Sequence, residues 1–117
     1  MREIKFRAWD RFNWKFHFFE LIRGVPNWIT GNEVQQYTGL KDADGVEWYE
    51  GDILGVNDPE DDSRCEIVFK AGAFQRHYRH GEDGPFSVSL KIPFDLNCWQ
   101  VIGNIYETPQ LVEDPTI

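Results

Sequence analysis

The sequence has only two cysteines, Cys65 and Cys98. A chain of 117 residues with so few thiols has no disulfide framework and must be held by its own core. Both are expected as unbridged, buried thiols of an intracellular protein. Positive charge is also scarce: 12 Lys and Arg stand against 20 Asp and Glu, a net charge of −8. Affinity for DNA or RNA comes mainly from neutralising phosphates, so the average surface disfavours nucleic acid and only a local basic patch could hold it. No apolar run approaches the roughly 20 residues a membrane-spanning helix needs. The opening segment MREIKFRAWD is charged and alternating, unlike an apolar signal segment. These absences point to a cytoplasmic protein with no membrane partner. Long 3.6-period stretches, internal repeats, low-complexity tracts and interdomain linkers are missing too, and the length fits a single domain over 1–117.

In their place are aromatic rings, with five Trp, four Tyr and nine Phe, which pack well on a pleated, half-buried surface. Period-two alternation recurs along the chain. At 3–8, Ile4, Phe6 and Ala8 alternate with Glu3, Lys5 and Arg7, and 14–18 alternates again after the turn residues 10–13, which reads as a hairpin. The apolar run extends through Phe19, Leu21 and Ile22 to Gly24 and Pro26, as strand in preference to a short helix at 18–23, and 28–30 is a brief apolar piece. Short strands are expected at 33–38, 46–49 and 53–56, separated by turns at Asp44-Gly45 and at Gly51-Asp52. The acidic segment 57–63 reads as a loop. Cys65, Ile67 and Phe69 alternate in the next strand, Ala71-Gly72 marks a turn, and Phe74, Arg76 and Tyr78 share one side of the strand after it, opposite Gln75 and His77. Phe86, Val88, Leu90 and Ile92 alternate with polar residues in the clearest strand of all. A last strand is expected at 98–106, then one helical turn near 108–111 beginning at Pro109. Many short strands with turn signals between them make the fold mainly β, β-rich α+β at most, and a small barrel or strongly bent sheet.

Three blocks carry a family resemblance: MREIKFRAWD at 1–10, QYTGLKDADGVEWYEGDIL at 36–54 and VIGNIYETPQL at 101–111. In that order they resemble the YopX family of bacteriophages and prophages. The resemblance implies a β-hairpin region over 1–38, an SH3-like barrel over 39–108 and a tail at 109–117. Gly39, Asp44, Gly45, Gly51, Asp52, Gly103 and Asn104 are then the turns that define the fold. The family has no established biochemical function, so the resemblance brings no active site, and 57–98 lies between the matching blocks.

The residues themselves offer no catalytic constellation. Asp42-Ala43-Asp44-Gly45 glances at a calcium loop, but Leu40 and Gly51 stand where that loop needs carboxylates, so an acidic hairpin turn is the reading. Asp58, Glu60, Asp61 and Asp62 read as a solvated loop. His77 and His80 with Cys65 and Cys98 could hold zinc only if all four converged, and positions three apart on a strand face opposite ways. No metal and no cofactor is expected.

Binding is left as the main class of function. Arg76, His77, Tyr78 and Arg79 form a basic, aromatic strand, and Lys5, Arg7 and Arg11, with Arg2 and Lys15, could form a second positive face on the N-terminal hairpin. Together they are the candidate interaction surface. The preferred reading is a non-enzymatic phage or prophage accessory protein that binds a host or phage protein, with a homo-oligomer through an edge strand as a related possibility. The alternative is a nucleic-acid-binding protein using the basic strand. A metal-assisted hydrolase built on 58–62 ranks last.

Overall fold

The computed structural model describes residues 4–20, 34–56, 58, 60, 63–79, 84–90, 98–108 and 110–113. Its strands are β1 (Lys5–Asp10), β2 (Lys15–Glu20), β3 (Val34–Lys41), β4 (Glu47–Tyr49), β5 (Asp52–Val56), β6 (Arg64–Lys70), β7 (Ala73–Tyr78), β8 (Phe86–Ser89) and β9 (Trp99–Asn104), followed by one helical turn, α1 (Gln110–Glu113). All strand pairs are antiparallel. They form a four-stranded sheet of order β2-β1-β3-β4 and a five-stranded sheet of order β8-β7-β6-β5-β9. In the second sheet a four-strand meander is followed by a last strand that returns to the first, which is the strand order of an SH3-like barrel. The fold is mainly β, as the alternation implied.

The N-terminal sheet runs further than the hairpin region expected at 1–38. Strand β3 continues to Lys41, β4 pairs onto it, and the strands of the barrel sheet start at Asp52. A bulge between Tyr37 and Lys41 carries Gly39 at φ +89°, and Thr38 Oγ1 donates to the Trp48 carbonyl at 2.8 Å across it. Alternation along β4 then sends Trp48 one way and Glu47 and Tyr49 the other. Trp48 plugs the barrel, where it packs with Leu54, Cys65 and Ile67 under Leu40, Phe74, Tyr78, Trp99 and Val101. Gly51 joins the sheets at φ +88°. Its N–H donates to the Ile67 carbonyl at 2.7 Å, and its own carbonyl accepts from Ile105 at 3.0 Å.

Three expectations need correction. In β1, Arg7 and Trp9 are buried along with Ala8, whereas Ile4 is half exposed. The reason is that the second sheet covers the face bearing Arg7, and an ion pair makes that burial tolerable. In β8, Phe86 is half exposed and only Leu90, just beyond the strand, is buried. This is an edge strand, so only part of its apolar side has a sheet to pack against. Neither cysteine is bridged, but Cys98 is exposed while Cys65 is buried. The expected features at 21–30, with Arg2, Asp61, Asp62, His80, Ile92 and Pro109, lie outside the described residues.

Candidate functional site

Arg7 sits where the two sheets meet. Its Nη2 donates to Asp52 Oδ1 at 2.6 Å and its Nε to Gln35 Oε1 at 2.8 Å. The rings of Phe16 and Tyr49 lie 4.1 and 4.7 Å from the guanidinium carbon. A planar, weakly hydrated cation accepts burial when a carboxylate and ring faces replace its water. The second Asp52 oxygen accepts the Tyr49 N–H at 2.8 Å. Burial pushes the Asp52 carboxyl up, while the Arg7 charge and the Tyr49 N–H pull it back. Burial also raises Glu50. The Tyr49 hydroxyl is pushed up to about 12, first by burial and then by Glu47, to which it donates at 3.3 Å.

Beside this pair lies an open cleft of about 350 Å³. Phe16, Phe18 and Tyr49 wall it from the first sheet, Val101, Asn104 and Glu107 from the other, and Val46 and Glu47 stand at its mouth. Within it Arg7 is matched by Asp52, and Glu47 by Lys5. Glu107 accepts from the Asn104 amide at 2.6 Å, with no cation partner among the described ion pairs. Phe18 is 65% exposed and Val46 47% exposed, so the wall is apolar up to the rim. The cleft can hold an apolar or aromatic side chain against rings and offer a carboxylate to a neighbouring cation. A larger hollow of about 660 Å³, between the β3 bulge and the β6–β7 turn, is lined by Leu40, Phe69, Phe74 and Leu90 among others, with no charged side chain among the described residues that line it.

Next to the cleft the β1–β2 turn projects outward. Asp10 holds it: its Oδ1 accepts the N–H groups of Phe12 and Asn13 at 3.0 and 3.1 Å, and its Oδ2 accepts the Asn13 amide at 2.7 Å. His17 Nε2 lies 2.9 Å from the same Oδ2. Trp14 has φ +56°, and its ring meets Trp9 edge-on at 5.0 Å. Trp9 in turn stacks on Tyr106 at 5.7 Å. At the tip Phe12 is 88% and Trp14 62% exposed, between exposed Arg11 and Lys15.

The residues singled out from sequence fall in two separate places. Arg76 is buried in the barrel sheet, with Nη1 3.3 Å from the Tyr78 hydroxyl. His77 Nδ1 lies 2.9 Å from Ser87 Oγ, Tyr78 stacks on Phe86 at 4.8 Å, and Arg79 pairs with Glu66 at 3.4 Å. On the hairpin, Arg7 is buried, Lys5 pairs with Glu47, and Arg11 lies over the Phe12 ring at 5.5 Å. Gly45 turns at φ +83° while Asp42 Oδ1 accepts the N–H groups of Asp44 and Val46. Asn104 Oδ1 caps the turn after β9 by accepting from Tyr106 and Glu107. Gly103 lies where a Cβ would strike Thr108 Oγ1. Sequence reasoning missed the cleft, because Phe16, Phe18, Tyr49 and Glu107 carry no local signal. Asp52 was legible only as a turn residue, and its partner Arg7 is 45 positions away. Among the described residues no group of His, Cys, Asp and Glu is placed to hold a metal, and no helix is long and apolar enough to cross a membrane.

Two antiparallel sheets, one with the strand order of an SH3-like barrel, locked by a buried arginine–aspartate pair beside an aromatic cleft, define a small all-β protein. The chain belongs to the YopX protein family, whose profile matches residues 23–113. No curated protein matches it. It is similar in structure to protein EF1440 from Enterococcus faecalis, known from a crystal structure, with a TM-score of 0.63. That likeness covers 96% of this chain and 99% of the other at 23% sequence identity, and it bears on the fold alone.

Proposed function

We propose that this chain is a non-enzymatic protein-binding module, an accessory protein of a phage or prophage working in the cytoplasm of its bacterial host. The cleft beside Arg7 is its recognition site. One observation carries this reading: Phe18 and Val46 are exposed at the rim of an aromatic-walled cleft whose floor is already fixed by the Arg7–Asp52 pair. Exposed rings around a preformed hollow are what protein anchors use, because the ordering cost has been met during folding. Of the basic side chains that a nucleic-acid surface would use, Arg7, Arg76, Lys5 and Arg79 are buried or paired, which leaves Arg11 and Lys15 exposed on the hairpin turn. In this reading the acidic balance favours a partner surface with cationic character.

The test starts from a partner recovered from host lysate with wild-type bait and then purified. Phe18→Ser is expected to weaken its binding at least about tenfold, or about 1.4 kcal/mol. The partner should also slow amide exchange at 16–18 and 46–49. Binding that ignores Phe18→Ser, or a bound fraction that nuclease removes and added salt disperses, would overturn the reading.

A further inference from the structure

The hairpin tip and the cleft are complementary, and we propose that the cleft receives the tip of a second copy of this chain. The inference rests on the cleft being a protein-binding site and names its occupant. The tip offers what the cleft lacks. Phe12 is 88% exposed, and Trp14, with its ring edge-on against Trp9, is still 62% exposed; Arg11 and Lys15 flank them. The one carboxylate of the turn, Asp10, is turned inward onto Phe12, Asn13 and His17. The tip therefore presents rings and positive charge in a protein whose net charge is −8.

The cleft offers the reverse. Phe18 and Val46 form an apolar rim, and Glu107 lies beside it. Glu20 follows two residues after Phe18 on the same face of β2, exposed. A ring from the tip would stack among Phe16, Phe18 and Tyr49, with Arg11 and Lys15 brought to Glu107 and Glu20. Aromatic pairs of this kind add to the area they bury, and local charge complementarity fixes orientation.

Backbone strain at the tip supports the same reading. Trp14 holds φ +56°, a conformation a bulky L-residue adopts at a cost. Its neighbour Asn13 is the residue type better suited to that region. The turn bears that cost with the Trp14 ring set edge-on against Trp9 and 62% of the residue still exposed, where a glycine would relax the backbone but remove the ring. Tip and cleft are different surfaces, so the contact is head-to-tail and can propagate into rings or open chains.

The experiment is light scattering across concentrations from about 10 μM to about 1 mM, the range in which small aromatic contacts associate. Wild type is expected to associate reversibly and more weakly as salt rises. Phe12→Ser, which removes a ring that is 88% exposed and so leaves folding intact, should raise the dissociation constant at least about tenfold. Glu107→Lys should do the same from the cleft side. The decisive mixture joins the two variants. A Phe12→Ser copy keeps its cleft and a Glu107→Lys copy keeps its tip, so together they should form a 1:1 dimer that grows no further. Monomer at every concentration overturns the inference, as does association that both variants leave unchanged or a mixture no better than its parts. A monomer whose cleft still binds another protein through Phe18 would leave the proposed function standing and remove only this occupant.

Discussion

Arg7 and Asp52 show how one residue pair can tie two sheets together. The pair is 2.6 Å long and almost wholly buried, so either partner alone would leave a charge out of water. Asp52→Asn is expected to destabilise by about 3–5 kcal/mol in urea unfolding, and adding Arg7→Met should recover part of that loss. A double variant no more stable than the single one would contradict this coupling. Gly51 meets two demands at once. Its φ is +88°, and a Cβ would strike the amide of Gln35, which is itself held by Arg7. At Gly45, by contrast, φ is +83° but no atom lies near. Gly45→Ala should therefore cost about 1 kcal/mol, for the backbone alone, and Gly51→Ala about 3 kcal/mol, for backbone and overpacking together. Equal losses at the two sites would show that the packing argument is wrong.

Among the elements, the β6–β7 hairpin turns through Ala71 and Gly72 at φ +53° and +80°, both positive, as a type I′ connection requires. Alanine bears the cost of its Cβ there. Ala71→Asn or Ala71→Gly is expected to raise stability by about 0.5–1 kcal/mol, read as a higher denaturant midpoint at unchanged slope. The β1–β2 hairpin depends on a charge. The Asn13 amide first, and then His17, hold the Asp10 carboxyl below the usual carboxylate range. A folded-state value below the unfolded one means the unfolded chain takes up the proton first. The contribution of Asp10 is thus fully present above roughly pH 4 and is lost as pH falls through the lower folded value. Wild type and Asp10→Asn should differ in midpoint near neutrality and converge in acid. Glu50, raised by burial, acts with the opposite slope: the folded chain holds its proton longer, so stability falls as pH rises from the unfolded value towards the folded one.

For the whole molecule, Trp48 decides whether the two sheets unfold together. It belongs to β4 of the first sheet, yet it is fully buried in the barrel core with Leu54, Cys65 and Ile67. Because this one ring is shared, unfolding should be a single transition in which fluorescence and far-ultraviolet circular dichroism coincide. Trp48→Ala should cost about 3–5 kcal/mol and separate the two signals. Coincident curves in that variant would mean that Arg7, Asp52 and Gly51 suffice to couple the sheets.

Alternation alone placed nearly every strand, and Gly45, Gly51 and Gly72 announced their turns, because both signals are local: a period of two and a backbone that needs no Cβ. Which face of a strand meets the interior was not written there. Arg7 and Ile4 exchanged their expected roles because a carboxylate 45 residues away made burial of the cation tolerable, and no neighbouring residue records that. The cleft was equally hidden. Its walls come from β2, β4, β9 and the turn after it, so it exists only once the sheets have closed on each other. The one-dimensional chain determined an all-β protein of short antiparallel strands. Tertiary packing alone decided which rings became core, which stayed at the surface, and where charge could be buried, since those outcomes depend on partners distant in sequence.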